Sequence, residues 1–120
     1  MEVLDKRFGD VPAGASMFIA TPEIVDKYIR NLPYGVAGSL QQMRKDLAAN
    51  HNAQYCCPIT SGIFLRIASE AAYEEYMAGK NIKDITPFWR MIDSKSPVIK
   101  KLACGAGFVK FQRVNEGLPF

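Results

Sequence analysis

Histidine and tryptophan occur once each and cysteine three times in this chain of 120 residues, so little metal or thiol chemistry is open to it. Cys56, Cys57 and Cys104 are odd in number and lack paired C-x-x-C spacing, and His51 alone cannot complete a tetrahedral set, which argues against a structural zinc. The three thiols read as small core residues of a reducing compartment. No apolar run approaches the ~18 residues that span a bilayer, and Met1 to Gly9 mixes acidic with basic side chains, unlike a secretory leader. A soluble, cytoplasmic protein with no membrane contact and no cofactor is expected.

What is present suits a single domain over residues 1–120: 48% of the chain is hydrophobic and 22% charged, enough apolar surface to offset chain entropy. The formal charge of +3 is unevenly spread. Residues 1–60 carry six positive and six negative side chains, whereas the stretch from Lys80 to Arg113 carries eight positive ones against Asp84 and Asp93. Such a cluster is either a solvated lysine surface or a track for phosphates, with Lys100, Lys101, Lys110 and Arg113 as the backbone-phosphate contacts.

Residues 1–20 read as an irregular lead-in. Thr21-Pro22-Glu23 then combines an N-cap hydroxyl, a proline at the first helical position and a carboxylate in the first turn, and Ile24, Val25, Tyr28, Ile29 and Leu32 form one stripe. A helix should run from there to Pro33-Tyr34-Gly35. Ser39 with Gln42 has capping-box spacing and opens a second helix, buried through Leu40, Met43, Leu47 and Ala48 and ending near Asn50. A third helix, capped by Thr60 or Ser61, is predicted to reach Met77 and to bury Ile63, Phe64, Ile67, Ala71 and Met77, with Gly79 as its stop. Residues 87–92 are aromatic and β-favouring and read as a strand, and a last helix over 108–115 should bury Phe108, Phe111 and Val114 or Gln112. The predicted fold is mainly α with a small β element, a winged-helix-like helix-turn-helix domain in which the third helix enters a groove.

Four segments, in order, resemble a known family. Leu32-Pro33-Tyr34-Gly35 followed by Ser39 is similar to the I-P-Y-G-x-V-x-(S/T)-Y-G turn of the alkylguanine-DNA alkyltransferases, the methylated-DNA-protein-cysteine methyltransferases. Thr86-Pro87-Phe88-Trp89-Arg90-Met91-Ile92 resembles their I-P-C-H-R-V-I active-site segment. Gly105 to Gly107 and Arg113-Val114-Asn115-Glu116-Gly117 resemble the glycine loop and the terminal K-x-x-L-L-x-x-E-G helix, so that residues 22–118 are covered.

The departures from that pattern decide the chemistry. The resemblance implies an acceptor cysteine activated by a histidine that a glutamate orients; here Phe88 holds the cysteine position and Trp89 the histidine position, while Glu116 matches the glutamate. No catalytic residue is therefore expected. The cysteine-less alkyltransferase-like branch implies instead a non-catalytic protein that binds double-stranded DNA at an alkylated or otherwise damaged base and passes the site to a repair partner. On that resemblance the rotating tyrosine aligns with Leu40, the arginine that fills the vacated stack with Arg66 or, by strict count, Gly62, and the preceding asparagine with Asn81.

Each of these residues also has a plainer reading. Phe88 and Trp89 form either a pocket floor, with Pro87 beside them in the site, or a filled core; Arg90 braces its segment, Tyr34 lines the site or caps the core, and Ser39, Thr60 and Ser61 are helix caps before they are phosphate ligands. His51 reads as a solvated residue at a helix end. Two other functions stand beside DNA recognition: a protein-interaction module on the same fold, and a methyltransferase using one of Cys56, Cys57 or Cys104.

Overall fold

Helix dominates the computed structural model, which describes residues 2–3 and 11–120. Its four α-helices are α1 (Pro22–Arg30), α2 (Leu40–Asn50), α3 (Pro58–Met77) and α4 (Gly105–Asn115). A small sheet joins β1 (Glu2–Val3), β2 (Ser16–Phe18) and β3 (Tyr55–Cys56), with β1 antiparallel and β3 parallel to β2. The lead-in expected to be irregular thus contributes two strands, and Tyr55–Cys56, between α2 and α3, supplies the third. Strands of two or three residues carry too short a pattern to register as periodicity.

The first two helices start where cap chemistry places them. Thr21 Oγ1 accepts from the Ile24 amide at 3.3 Å and Ser39 Oγ from the Gln42 amide at 3.1 Å. Val25 and Ile29 of α1, and Met43, Leu47 and Ala48 of α2, are buried as their stripes require.

α3 departs from expectation at its start and on its buried face. It begins at Pro58, whose fixed φ suits the first helical position, and the Cys57 amide extends the β3 ladder by donating to Phe18 O at 2.8 Å. Thr60 and Ser61 therefore lie inside the helix and cap nothing. The buried residues are Ser61, Leu65, Ala68, Ser69 and Ala72, while Ile63, Ile67 and Met77 are exposed. Small side chains let α3 pack closely against α1, and the two buried serines lose no hydrogen bonding: Ser61 Oγ donates to Cys57 O and Ser69 Oγ to Leu65 O, each at 2.7 Å.

Residues 87–92 are not a strand. Phe88–Met91 forms a 3-10 turn closed by the Arg90 amide on Pro87 O and the Ile92 amide on Trp89 O, and Phe88, Trp89, Met91 and Ile92 are all buried. Phe88 is fully buried and stacks on Phe108 at 5.9 Å. Two further 3-10 turns, Ile82–Asp84 and Pro97–Lys101, flank this one. α4 starts three residues earlier than expected, at Gly105 with φ +77°, and turns Val109 and Arg113 inward, leaving Phe111 and Val114 on the surface.

Candidate functional site

The turn Phe88–Met91 separates two depressions. The larger, about 730 Å³, lies between the start of α2, one flank of α3 and the segment leading into the turn Pro97–Lys101. Five expected site residues line it: Ser39, Leu40, Gly62, Arg66 and Lys101. They come from three separate elements, and the volume falls within the roughly 300–1,000 Å³ of small-molecule pockets. Arg66, exposed on α3, spans its rim by donating to Lys101 O at 3.3 Å.

The smaller cleft, about 470 Å³, holds Tyr34, Pro87, Trp89 and Arg90. Its wall is organised by Glu116, whose carboxylate accepts from Trp89 Nε1 at 2.6 Å, Arg90 Nε at 2.8 Å and the Gly35 amide at 2.8 Å. Gly35 sits at φ +79°, a conformation that glycine adopts without strain and that aims its amide at the carboxylate. Burial pushes the Glu116 pKa up, yet the hydrogen bonds from Arg90, Gly35 and Trp89 outweigh it and hold the carboxyl below its ordinary range. Arg90 also donates to Leu32 O at 2.7 Å and lies over the Tyr34 ring at 5.5 Å, so it braces its turn as expected. Tyr34 is 70% exposed and donates to Asn115 O, lining the cleft and capping nothing in the core.

Thr60, Ser61, Phe88 and Lys100 line neither depression. Ser61 and Phe88 are fully buried, so neither can touch a nucleic acid, and Phe88 is filled core and not a pocket floor. Thr60 Oγ1 is buried with no partner among the described residues, and Lys100 is exposed. Arg113, read as a phosphate contact, is 3% exposed and donates to the carbonyls of Trp89 and Pro119. Asn81 caps the turn Ile82–Asp84 by accepting from the Lys83 amide, and exposed His51 stacks on Phe18 at 3.8 Å.

Met91, Asp93 and Arg113 are among the residues lining the larger cavity that the sequence did not offer as pocket walls. Arg113 stands outside the stripe of Phe108, Phe111 and Val114 that periodicity assigns to the core of α4, so nothing in the sequence signals its burial.

Cys56 and Cys57 are buried, and burial pushes the Cys56 thiol up and the Cys104 thiol to about 11. Among the described residues no group of three His, Cys, Asp or Glu side chains is placed to hold a metal ion, and no helix is long and apolar enough to cross a membrane. No family model, curated protein or solved structure matches the chain.

Proposed function

We propose that this protein is a non-catalytic duplex-DNA binder of alkyltransferase-like, winged-helix-like architecture. On this reading α2 and α3 act as the helix pair, α3 lies against the groove, and the cavity of about 730 Å³ receives an alkylated or otherwise damaged base turned out of the stack. The observation that carries it is the convergence of Ser39, Leu40, Gly62, Arg66 and Lys101 on that one cavity. These are positions the family resemblance and the basic stretch had named separately. The Glu116 network supports the same reading, because the side chain at the family's histidine position, Trp89, donates to the residue at its glutamate position.

Recognition without transfer follows from chemistry: a buried phenyl ring stands where the acceptor sulfur would be, and an indole cannot serve as its base. Fluorescence anisotropy at low salt, with duplexes bearing and lacking an alkylated guanine, tests the proposal. Saturable binding is expected, and binding to neither duplex would remove it.

A protein-interaction module is the second reading, favoured by exposed Ile59, Ile63 and Ile67, which recur every four residues along α3. Ile63→Glu separates the two. In a groove-facing helix it abolishes duplex binding, whereas a protein-docking helix has no duplex binding to lose.

A further inference from the structure

Arg113 brings a guanidinium into the core and leaves part of it unused. Its Nε donates to Pro119 O at 2.7 Å, and its Nη1 to Trp89 O at 2.8 Å and Arg90 O at 3.3 Å. Nη2 meets no protein acceptor among the described residues. It is not sealed in either: among the described residues the buried side-chain polar atom without a partner is Thr60 Oγ1, and Arg113 belongs to the wall of the larger cavity.

Asp93 lines the same cavity. Its Oδ1 accepts from the Lys95 amide at 2.9 Å and from Ser96 Oγ at 3.2 Å, which fixes the carboxylate and leaves Oδ2 without a partner among the described residues. Asp93 and Arg113 form no ion pair among the described residues, although the carboxylate lies near enough to favour the charged guanidinium against the burial that disfavours it. Asp93 and Arg113 both line this cavity, with Oδ2 and Nη2 unspent on any partner among the described residues, and a ligand with neighbouring C=O and N–H groups would use both.

We propose that this pair reads the lactam edge of the displaced base, Arg113 Nη2 donating to the ring carbonyl oxygen and Asp93 Oδ2 accepting from the adjacent ring N–H. The inference rests on the DNA-binding reading above and narrows it. The lesion admitted keeps its keto oxygen and ring N–H, as in hypoxanthine or a guanine altered elsewhere, and is not an O-alkylated guanine, which has lost that N–H.

Anisotropy titrations with three duplexes test this: one containing hypoxanthine, one containing O-methylated guanine, one undamaged. Hypoxanthine should bind roughly tenfold or more tightly than O-methylguanine, the discrimination expected of a paired donor and acceptor. Asp93→Asn, whose amide can donate to the unprotonated ring nitrogen, should abolish that preference while retaining binding; Arg113→Lys should weaken the hypoxanthine complex, with a melting curve to show that it folds. Equal affinities for all three duplexes, a preference for O-methylguanine, or an unchanged preference in Asp93→Asn would overturn the lactam assignment and leave DNA binding standing. Binding to none of the three would overturn the DNA-binding reading itself.

Discussion

Trp89 hands its indole N–H to Glu116 over 2.6 Å, and through that carboxylate the turn Phe88–Met91 is tied to the end of α4 and to the Gly35 turn. The Arg90–Glu116 ion pair inside this network is 11% and 4% exposed at its two side chains, shielded from the screening that makes surface pairs weak. Removing one partner leaves the other charge buried, so Glu116→Ala should cost about 3–5 kcal/mol in urea denaturation. The pH dependence has a definite sign. Because the folded carboxyl titrates below its ordinary value of 4.5, its stabilising contribution is complete above that pH and is lost as pH falls through the lower folded value. Glu116→Gln has no proton to take up there, so its stability gap to the wild type should narrow in acid.

Restoring a cysteine should not restore transfer. Phe88→Cys places a thiol in a fully buried position beside Trp89, which accepts no proton, so intact mass should remain unchanged after incubation with alkylated duplex. The variant should lose stability of the order of the ~3–5 kcal/mol that Phe→Ala truncations cost in cores. An added alkyl mass would show that some other group activates the sulfur.

Two glycines at the cavity should respond oppositely to alanine. A Cβ on Gly62, inside α3, meets only Leu40 Cδ2 at an ordinary 3.9 Å, so Gly62→Ala should stabilise the helix by about 0.5–1 kcal/mol. A Cβ on Gly38 would come within 2.6 Å of Met91 Sδ and 2.9 Å of Leu32 Cδ1, and overpacking there should cost about 1–3 kcal/mol. Paired thermal melts check both signs.

The lysines of the turn Pro97–Lys101 should set the salt dependence. Lys100 and Lys101 are exposed, and each phosphate they neutralise adds about 0.9 to the slope of log affinity against log salt. A Lys100→Gln, Lys101→Gln double variant should flatten that slope by roughly two.

What could be read from the chain beforehand was the chemistry that acts locally. Thr21 and Ser39 announce α1 and α2 because a cap satisfies an amide three residues away, whatever the rest of the protein does. The face of α3 was hidden because burial there is carried by Ser61, Ala68, Ser69 and Ala72 around Leu65, while the large isoleucines that dominate a hydrophobic pattern point outward. Phe88 and Trp89 have β-favouring side chains, yet Pro87 and the backbone hydrogen bonds from the Arg90 amide to Pro87 O and from the Ile92 amide to Trp89 O bend them into one aromatic cluster with Phe108. Of the site, Ser39, Leu40, Gly62, Arg66 and Lys101 were legible as separate candidates; that they share one cavity depends on tertiary packing, as does the free end of the buried Arg113.

The cavity's role as a base receptor is tested most directly by a duplex carrying 2-aminopurine beside a damaged base, titrated at low salt with anisotropy and 2-aminopurine emission read together. Extrusion of the damaged base unstacks its neighbour, so emission should rise in step with anisotropy and saturate at the same protein concentration. A rise in anisotropy with flat emission would place the duplex on the surface with its bases still stacked, and would contradict the account.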